Sequence, residues 1–404
     1  MELIPRADLT VEQLRAVELS PDEHRVFLGG PGSGKTQVLL HRAAWLRDEF
    51  NVPDSRFHVF VFTRALKDYI RSASRLLDLP EKNITTLDAW CCAHYKRWID
   101  RTLPWNAEKE MTHFSKVRTE LIRHLKGGLF DARMYDFVMV DEGQDLTAEA
   151  FELIDLVAEH VTVCVDHKQQ IYEVGSSEDE ILDRLGLRRR NLSLLSTFRC
   201  SPYIVDLASR LVEDLVQRDE FIRQCRISQN GRETPLLYIA RDLEDEMDRL
   251  AEVLRTRLGM GERVAILTPR TRQMFGVAKG LRERGIDVET KQALDFNSDR
   301  PKVIPYPSAK GLTFDSVLMP RLTDKSFEKE DDERVERLLF VGITRAMKWV
   351  YMSSTDPYSL SPLDTLGEAE DAGSLEIQTD GHLQPAHRPT ADDEEDVDDL
   401  IDLL

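Results

Sequence analysis

The stretch Val26-Phe27-Leu28-Gly29-Gly30-Pro31-Gly32-Ser33-Gly34-Lys35-Thr36-Gln37 decides the fold. Residues 29–36 carry the pattern G-x-x-x-x-G-K-T, directly after a short apolar run and directly before a helix-like run. That context marks a phosphate-binding P-loop. Gly29, Gly32 and Gly34 let backbone N–H groups close around phosphates, Lys35 reaches the β and γ phosphates, and the Thr36 hydroxyl is placed to hold Mg²⁺. A helix beginning near Lys35 also turns the positive end of its dipole toward the anion.

Hydrolysis needs a second carboxylate site, and Phe137-Val138-Met139-Val140-Asp141-Glu142-Gly143-Gln144-Asp145 offers one at the end of an unbroken apolar strand. Asp141 is the expected second Mg²⁺ ligand and Glu142 the group that polarises the attacking water. A buried parallel strand that delivers acids at its carboxyl end is where an open α/β sheet places its ligands. Taken alone, the same residues also fit a strand followed by a solvated acidic turn.

Residues 138–145 resemble the D-E-x-Q-D box of superfamily 1 helicases of the UvrD/Rep type, and other boxes of that family follow in order along most of the chain. Leu9-Thr10-Val11-Glu12-Gln13-Leu14-Arg15-Ala16-Val17 resembles the Q motif, which implies that Gln13 reads the adenine edge. Val163-Cys164-Val165-Asp166-His167-Lys168-Gln169-Gln170-Ile171-Tyr172 resembles the sensor motif, implying Asp166 and Gln169 near the γ-phosphate. Leu195-Ser196-Thr197-Phe198-Arg199-Cys200-Ser201 resembles the N-Y-R-S box, with Phe198 on the adenine face and Arg199 on the phosphates. Ser308-Ala309-Lys310-Gly311-Leu312-Thr313-Phe314 resembles the S-K-G-L-E-F box, which puts Gly311 in the nucleotide site. Residues 337–347 resemble the last box and make Arg345 the candidate arginine finger.

The resemblance implies an α/β P-loop NTPase of two RecA-like parallel-sheet domains, with ATP and Mg²⁺ at their interface. Arg199 and Arg345 lie far from Lys35 in sequence, so a phosphate site using all three is closed by two separate sheets meeting across ATP. An arginine on the developing transition-state charge is worth several powers of ten in rate.

The length of 404 residues allows two such domains. The expected division is a first domain over residues 1–191, with a short helical insertion at about 91–130, a second over residues 192–355, and an acidic, largely disordered tail over residues 356–404. Five cysteines, Cys91, Cys92, Cys164, Cys200 and Cys225, show no C-x-x-C spacing, which speaks against a zinc site or a disulfide framework. With no leader-like start and no run of about 18 apolar residues, the expectation is a soluble, cytoplasmic protein.

Fourteen of the nineteen net negative charges lie in residues 356–404. The acidic balance therefore does not exclude nucleic acid from the remaining body, where a local basic stripe can still form. Arg64, Lys67, Arg71 and Arg75 stand at near-helical spacing, and Arg188, Arg189 and Arg190 form a second cluster. Trp90, Tyr95, Trp98 and Trp105 are candidates either for stacking bases or for core.

The departures from the family pattern concern DNA more than ATP. Arg64 stands in the T-N-x-A position, Val174 replaces a base-stacking aromatic, Pro307 replaces a histidine, and the gaps between boxes leave room for short insertions only. On the ATP side Thr313 replaces a glutamate that contacts ribose.

The chain ends in Asp392-Asp393-Glu394-Glu395-Asp396-Val397-Asp398-Asp399-Leu400-Ile401-Asp402-Leu403-Leu404, which suits a solubilising tail, a peptide docking into a protein partner's groove, or a phosphate mimic in the protein's own DNA channel. The leading expectation is an ATP-dependent translocase or helicase acting on DNA, single-stranded by preference. The alternative is a regulatory ATPase subunit whose ATP state controls a partner such as a nuclease.

Overall fold

The computed structural model describes residues 4–30, 33–63, 66–67, 77–107, 110–129, 131–166, 176–188, 192–195, 197–212, 214–227, 233–291, 294–328, 330–356 and 360–379. In residues 192–195 and 197–200 the description is of the backbone. The chain divides into two compact units, one of Glu2–Gly29 and Gly34–Leu195, the other of Met1, Gly30–Ser33 and Ser196–Leu404.

The first unit runs α1 (Val11–Val17), β1 (Arg25–Gly29), α2 (Lys35–Glu49), β2 (Phe57–Phe60), β3 (Ile84–Thr85), α3 (Leu87–Trp98), the hairpin β4 (Trp105–Asn106) and β5 (Met111–Thr112), α4 (Phe114–Lys126), β6 (Tyr135–Val140), α5 (Ala148–Val157), β7 (Ala158–Val165), α6 (Glu178–Arg184) and β8 (Leu192–Leu195). Its sheet is parallel throughout, in the order β3-β2-β6-β7-β1-β8. Val138, Met139, Val140, Val161, Val163 and Val165 are buried, as expected of strands covered by helices on both faces. Strand β7 lies between β1 and β6, so the loops leaving all three strands open at one edge of the sheet.

Helix α1 starts at a capping box: Thr10 Oγ1 accepts the Gln13 N–H at 3.2 Å, and Gln13 Oε1 accepts the Thr10 N–H at 3.0 Å. Helix α2 is buried without interruption from Lys35 to Ala44, which places it between the sheet and α1.

The second unit runs β9 (Thr197–Cys200), α7 (Pro202–Arg210), α8 (Leu215–Gln224), β10 (Cys225–Ile227), β11 (Leu236–Ile239), α9 (Leu243–Gly259), β12 (Val264–Thr268), α10 (Thr271–Glu283), β13 (Glu289–Thr290), β14 (Lys302–Pro305), α11 (Tyr306–Ala309), β15 (Phe314–Met319), α12 (Asp332–Ile343), β16 (Ala346–Ser354), α13 (Ser361–Asp371) and β17 (Glu376–Gln378). Seven parallel strands follow the order β13-β14-β12-β15-β16-β11-β17, and β9 pairs separately with β10. Leu250, Leu254, Ile266, Val277, Leu281 and Leu318 fill the core between this sheet and the pair α9 and α10.

Three expectations change. The 91–130 insertion contains the hairpin β4–β5 as well as helices, and its first helix begins at Leu87 under a Thr86 cap. Leu192–Leu195, expected to open the second domain, instead pairs with β1 at the edge of the first sheet. The expected disorder of the tail is corrected for residues 360–378, which form a helix and a strand. Leu360, Leu363, Leu366 and Ala369 recur every third residue and are all buried, Pro362 suits the first turn of α13, and β17 adds to β11. Residues 380–404, including the acidic terminus, lie outside the described residues. Among the described residues no helix is long and apolar enough to cross a membrane.

Candidate nucleotide site

Three adjacent strand ends build the site. From β1 the chain enters the P-loop, of which Pro31 and Gly32 lie outside the described residues. Gly34 precedes α2 at φ +80, and a Cβ there would stand 2.5 Å from Gln13 Nε2. Only glycine combines that left-handed backbone with so close an approach. The same contact locates Gln13, the candidate base-reading residue, against the P-loop.

Lys35 opens α2 and is buried, with Nζ donating to the Gly29 carbonyl at 2.6 Å and to Asp166 Oδ2 at 3.1 Å. Desolvation pulls its ammonium down, but the negative charges of Asp166, Glu142 and Asp141 outweigh that, and its pKa is raised. Asp166 stands at the end of β7, so the sensor motif and the P-loop do meet.

At the end of β6, Asp141 Oδ2 accepts the Thr36 hydroxyl at 2.7 Å, and Oδ1 accepts the Glu142 N–H at 3.1 Å. Burial, then the adjacent Glu142 carboxylate, push the Asp141 pKa upward. A hydroxyl and a buried carboxylate held together are hard oxygen donors of the kind Mg²⁺ takes. The donor set fits that ion.

Glu142 is buried and occupies the left-handed region at φ 54. Its Oε2 accepts Gln144 Nε2 at 2.6 Å, while Gln144 Oε1 accepts the Asp166 N–H at 2.9 Å. Gln144 therefore ties the acid at the end of β6 to the acid at the end of β7. Gly143 makes this approach feasible, since a Cβ there would meet Val163 Cγ1 at 2.3 Å. Neither residue had a role assigned from sequence. The signal for both was the spacing inside the D-E-G-Q-D run itself.

The remaining expected residues fall elsewhere. Gln169, like Val174, lies outside the described residues, as do Arg64, Arg71, Arg75, Arg189 and Arg190. Phe198 and Arg199 lie on β9 in the second unit, where the backbone alone is described. Gly311 takes φ +77, which again calls for glycine. Arg345 is buried in the second unit: Nε donates to the Val341 carbonyl at 3.0 Å, Nη1 to the Leu312 carbonyl at 3.3 Å, and Nη2 to Thr344 Oγ1 at 3.1 Å. The S-K-G-L run and the last box, distant in sequence, are thus brought together around its guanidinium. Thr313, next to Leu312, is buried.

The aromatic candidates separate by burial. Trp90 is core: Nε1 donates to the Tyr135 hydroxyl at 2.9 Å, and its ring packs edge-on to Phe60 and stacks on His94. Tyr95 is also buried, its hydroxyl donating to Glu120 at 2.8 Å, and Trp98 packs edge-on to Trp90. Trp105, on the β4–β5 hairpin, is 64% exposed, the most open of the four.

Residues 13–175 match the model of the AAA domain family, a span running from Gln13 through the P-loop, Asp141, Glu142 and Asp166. Together with the parallel sheet around the P-loop, this is the P-loop NTPase fold. No curated protein is significantly similar to the chain. Among solved structures, the C-terminal domain of a possible DNA helicase from Lactobacillus plantarum WCFS1 aligns at 22% identity over 45% of this chain and 99% of that one, with a TM-score of 0.36.

Proposed function

We propose that this chain is an ATP-hydrolysing motor of the UvrD/Rep-like superfamily 1 type, which couples hydrolysis to movement on single-stranded DNA. The observation that carries the ATPase reading is the convergence of Lys35, Thr36, Asp141, Glu142 and Asp166 at three neighbouring strand ends. The ordered family-like boxes that continue through Arg199 and Arg345 support the extension to DNA.

In this account Lys35 exchanges the Gly29 carbonyl and Asp166 for the β and γ phosphates of ATP. Thr36 and Asp141 open their mutual hydrogen bond to hold Mg²⁺, which when bound neutralises charge on the phosphate oxygens. Glu142, oriented by Gln144, accepts a proton from the attacking water. Gln13 reads the adenine edge, as the family resemblance suggests. Trp105 offers one stacking surface for a base.

Strand displacement from duplexes carrying a 3′ or a 5′ single-stranded overhang tests the motor reading. ATP-dependent displacement from one of the two supports it and gives the polarity. Displacement from neither sinks the helicase reading and favours the second, an ATPase whose nucleotide state controls a partner.

A further inference from the structure

Two turns beyond Lys35 on α2, Arg42 is 0% exposed, and among the described residues no carboxylate pairs with it. Nη1 donates to the carbonyls of Leu19 at 2.6 Å, Val17 at 2.9 Å and, more weakly, Ala16 at 3.4 Å. Nε donates to Thr162 Oγ1 at 2.9 Å and Nη2 to His160 Nε2 at 3.2 Å, both on β7. The three carbonyls are those leaving the C-terminal end of α1, where a helix presents unsatisfied acceptors and the negative end of its dipole.

The other end of the same segment is held by the same helix. His41 Nε2 meets the Ile4 carbonyl at 2.9 Å, and Gln37 Oε1 accepts the Ile4 N–H at 3.3 Å. Between these two anchor points lies Gln13, its amide against Gly34. Helix α2 thus carries the phosphate-binding lysine at its start and grips the Gln13 segment at both ends. Burial and the nearby Arg25 lower the Arg42 pKa to about 9, so the guanidinium occupies a site that opposes its charge except through these fixed acceptors.

We propose that Arg42 is a positioning residue for nucleobase recognition: by locking the end of α1 to α2 and β7, it sets the distance between Gln13 and the triphosphate, and so sets the preference for adenine. The proposal rests on the reading of Gln13 as the base contact. A lysine keeps the charge of Arg42 but cannot hold its planar fork of donors.

The test is calorimetric binding of Mg-ATP, Mg-GTP and Mg-tripolyphosphate to the full chain and to Gln13→Ala, Arg42→Lys and Thr162→Val. In Arg42→Lys the preference for ATP over GTP is expected to fall roughly tenfold, the worth of one hydrogen bond to the base, with tripolyphosphate affinity unchanged. Thr162→Val removes one acceptor at nearly constant volume and shifts the preference in the same direction by less. It decides the matter if Arg42→Lys does not fold. An unchanged ATP/GTP ratio in the Arg42 and Thr162 variants, while Gln13→Ala abolishes the preference, overturns the proposal. A parallel loss for all three ligands also overturns it, because that is the signature of a merely structural arginine. If Gln13→Ala itself leaves the ratio intact, the base-contact reading is what fails, and the positioning role falls with it.

Discussion

Gln144 donates its side-chain N–H to the Glu142 carboxylate across 2.6 Å, and the other edge of the same amide accepts the main-chain N–H of Asp166 at 2.9 Å. One side chain thus fixes the proposed general base relative to the strand end that also holds the partner of Lys35. Misplacing a catalytic group by about 1 Å costs on the order of a hundredfold in rate. Gln144→Ala is therefore expected to lower kcat for ATP by roughly that factor while KM stays nearly constant. A rise in KM at unchanged kcat would show instead that Gln144 serves binding.

Gly143 supports the same loop through close packing on β7. A methyl group at this position would overlap Val163 Cγ1, and overpacking of this kind costs about 1–3 kcal/mol. Gly143→Ala is expected to lower the thermal midpoint and the hydrolysis rate together. Adding Val163→Ala should recover part of both, even though that substitution alone leaves a cavity. Simple additivity in the double mutant would exclude the contact as the cause.

Much of the site was legible because its chemistry is local in sequence. The glycine pattern, Lys35, Thr36 and the Asp141–Glu142 pair each announce themselves within a few residues. What was not legible depends on strand order. The family resemblance alone put Asp166 near the phosphates, and no residue beside it says that β7 inserts between β1 and β6, the order that gives Lys35 its Asp166 partner and Gln144 the Asp166 N–H. Trp90 and Trp105 are the same residue type in one insertion, and only packing makes the first core and leaves the second exposed. Helix α13 was obscured because four acids, Asp364, Glu368, Glu370 and Asp371, dominate its composition, while its apolar stripe is three leucines and an alanine.

That stripe predicts where the chain can be shortened. Ending the chain after residue 355 removes α13 and unpairs β17 from β11, whereas ending it after residue 379 keeps both. The first truncation is expected to lower the stability of the second unit sharply and the second to leave it intact. Leu366→Ala, at a fully buried position, should cost about 2–5 kcal/mol by denaturant titration. A stability unchanged by Leu366→Ala would remove α13 from the core.

Two buried histidines give the first unit a pH dependence. Burial, aided for His58 by the charges of His94 and Lys67 and for His160 by that of Arg42, lowers both pKa values to about 3. The unfolded chain, with histidines near about 6.5, binds more protons than the folded one between those limits. The stabilisation is therefore complete above about pH 6.5 and is lost as pH falls toward 3, each histidine contributing at most about 1.4 kcal/mol per pH unit. The variant His58→Gln/His160→Gln should show a shallower fall in its urea midpoint between pH 7 and pH 4.5 than the unaltered chain. Equal slopes would mean that both rings take up protons in the folded state as readily as in the unfolded one.

In the proposed function, the pocket formed by Lys35, Thr36, Asp141 and Glu142 hydrolyses ATP under the control of DNA. Steady-state ATP hydrolysis with and without single-stranded DNA tests it most directly, with Lys35→Ala as the blank. Hydrolysis is expected to rise strongly on adding DNA and to vanish in Lys35→Ala. Hydrolysis that persists in Lys35→Ala, or that is abolished there but indifferent to DNA, would contradict it.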